Sequence, residues 1–256
     1  MQSVTLSFYH MTLRLAQGHI EFIECMKRLF IIANWKSNKT IKDTKNWLHD
    51  FSNGLSNAHI NLEDKKVIIA PPFTALAQAN YYSGKLNLAL GFAAQDVSMF
   101  EEGAYTGEVS GRQIKELASY VIIGHSERRN GLAESDEIVN KKVEQALEHD
   151  LTPILCFSDV KQIHNSIRHV GGHNSNCIVA YEPLFAIGSG NPDTPENADK
   201  MCQEVKNILG EVPTLYGGSV DKENVKSFTN MLSIDGALVG KASLDPLEFS
   251  GIVKNA

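Results

Sequence analysis

Cysteine is scarce: Cys25, Cys156, Cys177 and Cys202 are the only four in 256 residues, and they lie far apart. That excludes a disulfide-stapled fold and the paired spacing of a zinc site. Cys156 and Cys177 stand in or beside apolar runs, as reduced core residues of a cytosolic protein do. No apolar run approaches the roughly 18 residues that a bilayer-crossing helix needs. Positive charge is also short, since 24 Lys and Arg face 30 Asp and Glu for a formal net charge of −6. This balance argues against nucleic acid or an anionic membrane surface as the main partner. A small anionic substrate survives the exclusion, because backbone donors and one lysine can dominate a pocket whatever the global charge. Repeats, low-complexity tracts and dividing linkers are missing too. With 43% hydrophobic residues the chain can bury a large core, and one domain is expected.

Residues 1–25 stand apart. Met26 opens a run, MKRLFIIANW, that reads like the start of a first strand. The segment before it has no basic leader and no small-residue cleavage site, which argues against a secretory signal. Glu21 and Glu24 against a single Arg14 fit a transit peptide poorly. The reading is a non-catalytic extension over 1–25, a folded domain over 26–256, and a cytoplasmic location.

From Leu29 onward, short β-branched runs alternate with longer segments of helical period, which predicts βα units and a parallel sheet. The predicted strands are Leu29–Asn34, Lys66–Ala70, Leu88–Ala94, Tyr120–Ile123, Thr152–Cys156, Cys177–Tyr181, Thr214–Tyr216 and Gly236–Val239. Amphipathic stretches between them include Ile41–Phe51, Ser110–Leu117, Asp136–His149, Pro195–Leu209 and Asp221–Thr229. Thr194 before Pro195 is good cap chemistry. Eight such units close into a (β/α)8 barrel, although a doubly wound open sheet fits the periodicity nearly as well. The glycine-rich Val170–Ser175 suggests a short or broken helix after the fifth strand.

In a βα barrel the chemistry sits at the carboxyl ends of the strands. Those positions hold Asn34 and Lys36 after the first strand, His125 and Glu127 after the fourth, and Glu182 after the sixth. Gly217, Gly218 and Gly240 follow the seventh and eighth. One lysine, one histidine and one carboxylate beside glycine turns suit proton abstraction next to the carbonyl of a phosphorylated compound. Taken alone, His125 reads as a satisfied structural residue, Glu182 as a helix-start acid and Lys36 as a solvated charge.

Six runs join them: ANWKSN (33–38), EGAYTGEVS (102–110), IIGHSERR (122–129), AYEPLFAIGSG (180–190), YGGSV (216–220) and DGALVGKASL (235–244). Together, in this order and spacing, they resemble the triosephosphate isomerase family from about residue 28 to the end. The resemblance implies a single-domain TIM barrel that interconverts D-glyceraldehyde 3-phosphate and dihydroxyacetone phosphate through an enediol, in glycolysis and gluconeogenesis. It implies that Glu182 is the base and His125 the electrophile and proton shuttle. This family is itself the standard example of a glutamate base beside a histidine kept neutral by a helix amino end. Lys36 would add a fixed positive charge, with Asn34, Ser126 and Glu127 supporting. Phosphate would rest on backbone N–H groups of Gly188, Ser219, Gly240 and Lys241. Pro183, Leu184 and Phe185 would hinge a lid continuing through Ala186, Ile187, Gly188, Ser189 and Gly190. Tyr105, Thr106 and Glu108 would reach a second subunit near Asn34 and Arg128 in a homodimer.

Four departures accompany the likeness. Phe185 stands where the family usually has tryptophan, Lys241 where it has glycine, and Ser158 and Asp159 where it has glycine and glutamate. The segment from there to Cys177 is short. None touches Lys36, His125 or Glu182, so retained activity with altered stability is expected. His164, His169 and His173 match no common metal-ligand spacing, and the GSG at 188–190 lacks the third glycine of a dinucleotide fingerprint. No cofactor or metal is implied. A barrel enzyme acting on a larger sugar would use the same glycine cradle, but it gives no reason for NWK, GHSERR and YEP together. An impaired relative surviving as a binding protein would keep those residues on a damaged scaffold.

Overall fold

A computed structural model describes residues 11–16, 19–24, 28–166 and 177–256. The Val170–Ser175 segment, His169, His173 and Cys25 lie outside the described residues. Two antiparallel strands, Met11–Ala16 and His19–Glu24, form a separate ladder ahead of the domain.

Eight parallel strands follow: β1 (Leu29–Asn34), β2 (Lys65–Ala70), β3 (Gly91–Ala94), β4 (Tyr120–Ile123), β5 (Thr152–Phe157), β6 (Ile178–Tyr181), β7 (Thr214–Tyr216) and β8 (Gly236–Val239). Each pairs with its neighbours in chain order and β8 pairs with β1, so the sheet is a closed barrel. Closure removes the doubly wound alternative. The expected third strand starts late, at Gly91, because Leu88 N–H bonds back to Ser83 O at 3.1 Å and Leu90 N–H to Leu88 O at 2.9 Å.

Side chains alternate along each strand. Ile32, Ile68, Ile122, Ile154, Ile178 and Leu238 belong to one buried cluster inside the barrel. Ile31, Val67, Val121, Leu155, Val179 and Val239, one position out of phase, belong to the other, beneath the helices.

The helices begin where the sequence supplies caps. In α1 (Ile41–Asn57) Thr40 and Asp43 form a capping box, and α2 (Phe73–Lys85) starts behind Pro72. Ser110 and Gln113 box the start of α3 (Gly111–Lys115), while α4 (Ser126–Gly131) is capped by His125. Ser135 caps α5 (Asp136–Glu148), and α6 (Val160–Ser166) follows β5. Thr194 caps α7 (Pro195–Leu209). The expected helix from Asp221 shortens to α8 (Val225–Thr229), because Asp221 Oδ1 accepts from Glu223 N–H and Asn224 N–H and holds a turn there. A 3-10 turn, Lys241–Leu244, leads into α9 (Pro246–Asn255). Trp47 and Phe51 of α1 stack at 4.9 Å and pack on Phe249 of α9, so the first and last helices seal the barrel's seam. Among the described residues no helix is long and apolar enough to cross a membrane.

Closure depends on one glycine. Gly236 has φ +148, and a Cβ on it would lie 1.9 Å from Phe30 O, the backbone to which β8 pairs. Gly236→Ala is therefore expected to cost about 3 kcal/mol or more, read as a lowered urea midpoint. An unchanged midpoint would show that the β8–β1 seam can shift freely.

Candidate active site

Strand phase decides which carboxyl-end residues face inward. Glu182 continues the interior series Ile178 and Ala180, Asn34 continues Ile32, and Gly217 and Gly240 continue Leu215 and Leu238. His125 is reached differently. Gly124 takes φ +70, which a residue with a Cβ rarely adopts, and this turns the chain from β4 into α4 with His125 at its amino end. A cavity of about 640 Å³ collects the results. Asn34, Lys36, His125 and Glu182 line it, together with Ile187 to Gly190, Gly217 to Asp221, Gly240 and Lys241.

Glu182 is 2% exposed, yet its carboxylate is held at both oxygens. Oε2 accepts from Ser126 N–H at 3.0 Å and Oε1 lies 3.0 Å from His125 Nε2. Burial alone would raise this carboxyl's pKa; the His125 ring and the Ser126 amide outweigh it and hold the group below the usual carboxylate range. His125 Nδ1 accepts from Glu127 N–H at 3.2 Å. The ring proton therefore belongs on Nε2, facing Glu182 and the cavity. Burial works against a charged ring, but the adjacent Glu182 carboxylate outweighs it and lifts the His125 pKa. Space for this pair is also set by Gly217, where a Cβ would lie 3.0 Å from Glu182 Cγ.

Lys36 adopts φ +52, a costly conformation for a lysine. It is held from several sides. Its N–H donates to Asn34 Oδ1 at 3.0 Å, its carbonyl accepts from Gln95 Nε2 at 2.9 Å, and its ammonium pairs with Glu127. Gln95 also donates to Ala70 O at 2.8 Å and so clamps two loops. Neither Gln95 nor Asp96 stood out in the sequence; both are the first polar residues after the apolar β3, and that was the available signal. Trp35 meets Trp47 edge-on at 4.8 Å, which fixes the Lys36 loop against α1.

The remaining expected residues divide. Ser219 faces the cavity, but its hydroxyl is engaged by the lid, accepting from Gly190 N–H at 3.1 Å and donating to Ala186 O at 2.7 Å. In the lid Ala186 is fully buried while Pro183 is also buried and Leu184 and Phe185 are exposed. Tyr105, Thr106 and Glu108 are exposed on one loop, where Tyr105 stacks on Phe100 at 4.2 Å. Arg128, half-buried, joins a charge cluster, with Nη2 2.7 Å from both Asp96 Oδ2 and Glu134 Oε1. Lys142 completes that cluster. Ser158 and Asp159 close a turn, Ser158 N–H donating to Gln162 and Lys161 N–H to Asp159.

A buried carboxylate beside an imidazole Nε2–H donor, with a lysine and N–H-bearing glycines lining the same cavity, can move a proton beside an oxygen that becomes negative. The family model described as triosephosphate isomerase matches residues 29–256. The chain belongs to the triosephosphate isomerase family. A triosephosphate isomerase of Aquifex aeolicus (strain VF5) is 38% identical over 253 residues, covering 89% of this chain and 99% of that one. One from Mesomycoplasma hyopneumoniae (strain 7448) is 40% identical over 248 residues, covering 90% and 100%. A third, from Dictyoglomus thermophilum, is 37% identical over 257 residues with the same coverage. The family match begins at β1 and leaves residues 1–28 outside it.

The pairing of Glu182 with His125 has a measurable sign. Glu182→Gln removes the charge that lifts the histidine and leaves burial, so the His125 pKa is expected to fall below the wild-type value. An NMR titration of the ring reads it; an unchanged pKa would mean that Glu182 is not the controlling partner.

Proposed function

We propose that this chain interconverts D-glyceraldehyde 3-phosphate and dihydroxyacetone phosphate, with Glu182 as the base, His125 as the electrophile and Lys36 as the fixed cation. The supporting observation is the shared cavity, in which the carboxylate of Glu182 and the Nε2–H of His125 face each other 3.0 Å apart. Glu182 takes the proton from the carbon next to the carbonyl. The released electron pair becomes the double bond of an enediolate, and the carbonyl oxygen takes the negative charge. Nε2–H of His125 donates to that oxygen, while the Glu127 amide keeps Nδ1 as an acceptor. His125 passes its Nε2 proton to that oxygen and takes the proton of the neighbouring hydroxyl, whose oxygen becomes the new carbonyl, and returning the proton from Glu182 to the former carbonyl carbon completes the isomerisation.

The held state of Glu182 has a kinetic meaning. While Ser126 N–H and His125 occupy both oxygens, the carboxylate is a weak base. A substrate whose carbonyl claims His125 takes one partner away, so basicity rises only when substrate is bound. Lys36, already charged and fixed beside Glu127, adds attraction where low dielectric makes charge count.

In the same reading the phosphate lies on N–H groups of Gly188, Ser219, Gly240 and Lys241, residues 183–190 act as the lid, and Asn34, Ser126 and Glu127 position the rest. Residues 1–25 take no part in chemistry, the protein works in the cytoplasm, and Tyr105, Thr106, Glu108 and Arg128 lie at a homodimer contact. The exposed Tyr105 loop supports that contact; sedimentation at micromolar concentration is expected to give twice the chain mass, and a monomer would remove it.

A coupled assay of glyceraldehyde 3-phosphate conversion tests the activity. Wild type is expected to turn over, and Glu182→Asp, which withdraws the carboxylate by one methylene, to lose about 10²- to 10⁴-fold in kcat with little change in KM. A folded wild type without turnover would sink the reading.

A further inference from the structure

Past the lid, Asn191, Pro192 and Asp193 lead into α7, and Asp193 is half-buried. Its carboxylate accepts three hydrogen bonds. Oδ1 accepts from Thr194 N–H at 2.8 Å, and Oδ2 accepts from Asn197 Nδ2 at 2.6 Å and from the Tyr181 hydroxyl at 3.3 Å. The Asp193 N–H donates in turn to the Tyr216 hydroxyl oxygen at 2.8 Å.

The partners are firm. Tyr181 ends β6 immediately before Glu182 and packs on Phe157 at 5.5 Å. Tyr216 ends β7, is fully buried and stacks on Phe228 at 4.0 Å. Gly218 leaves room for it, since a Cβ there would lie 2.1 Å from the Tyr216 hydroxyl oxygen. Burial, and then the Asp193 charge, raises the Tyr181 pKa; burial likewise pushes Tyr216 up to about 12, so both hydroxyls stay protonated at working pH. Residues 181 and 193 bracket the lid; the Asp193 carboxylate ties them to each other, to the end of β6 and to the first turn of α7, while its backbone N–H adds the tie to β7.

We propose that Asp193 is a positioning residue for the reaction: it pins the carboxyl end of the lid to the barrel, so that the lid pivots at Pro183 to Phe185 and delivers Gly188 and Gly190 to one fixed place over the cavity. The proposal rests on the reading that phosphate lies beneath the lid. Its physical basis is entropic. A loop with both ends tied has fewer arrangements to lose on closing than one with a free end. The Gly190 N–H to Ser219 bond at 3.1 Å is then formed by a short, guided segment. Without the pin, the same N–H would have to find its place from a wider ensemble.

The test compares wild type with Asp193→Ala, Asp193→Asn and Tyr181→Phe. Amide hydrogen exchange is followed without ligand, and the affinity for inorganic phosphate is measured by calorimetry. In Asp193→Ala, exchange across 184–192 is expected to accelerate about tenfold, the scale of a lost charge-assisted hydrogen bond, with the strands unchanged. Phosphate binding should weaken by a similar factor, and the triose phosphate KM should rise more than kcat falls. Asp193→Asn, whose amide oxygen still accepts, should recover part of both, and Tyr181→Phe should show a smaller change of the same kind. Lid exchange at the wild-type rate overturns the proposal, and so does acceleration spread evenly over the barrel, which marks a merely structural residue. A wild type that binds phosphate without isomerising would overturn the catalytic reading and leave the pin standing.

Discussion

A parallel sheet that closes on itself must send every second side chain into one shared interior, and this constraint organises the whole molecule. Eight strands contribute to that interior. The apolar members, such as Ile32, Ile122, Ile154 and Ile178, fill it as a core. The next position in the same phase, at the carboxyl end, has no further layer above it, so it faces the cavity instead. Glu182 is buried because it follows Ile178 and Ala180 in step. The seam where β8 meets β1 is the point at which this phasing could fail, and there the close approach of Gly236 to Phe30 leaves no room for a side chain.

Burial makes the polar residues interdependent. A carboxylate at 2% exposure carries a large desolvation cost unless donors offset it. The Ser126 amide and His125 ring supply them, and the Glu127 amide fixes the ring's proton on the side that serves Glu182. Three consecutive residues at the start of α4, its cap His125 with Ser126 and Glu127, thus set the charge state of a group just past β6. A second cluster, Asp96, Arg128, Glu134 and Lys142, follows the same logic one layer outward. It braces the Gln95 turn that holds the backbone of Lys36.

Much of this was legible from residue order. Short β-branched apolar runs placed the strands to within a few residues, and Pro195 behind Thr194 marked the start of α7. GHSERR, YEP and YGGS singled out the cavity residues because glycines and charges sat together where strands end. What escaped had physical reasons. The helix Phe73–Lys85 carries a weakly segregated apolar face behind an uncapped Pro72. Turns at Leu88 and Asp221 use local hydrogen bonds that no periodicity registers. Gln95 acts through carbonyls of distant loops, a role that its neighbours in sequence do not announce. Arg128 pairs with Asp96 and Glu134, partners that its own motif does not announce.

By itself the sequence determined the alternation of strand and helix, the family, and which side chains have the chemistry for proton transfer. These depend on local pattern and residue type, and both survive being read one residue at a time. Only the tertiary structure decided that the sheet closes, which face each residue takes, and how a carboxylate just past β6 and an imidazole capping α4 come to lie 3.0 Å apart. It also decided that Asp193 meets Tyr181, twelve positions earlier. Such facts are set by distance and desolvation between segments remote in the chain, and those quantities exist only once the barrel has closed.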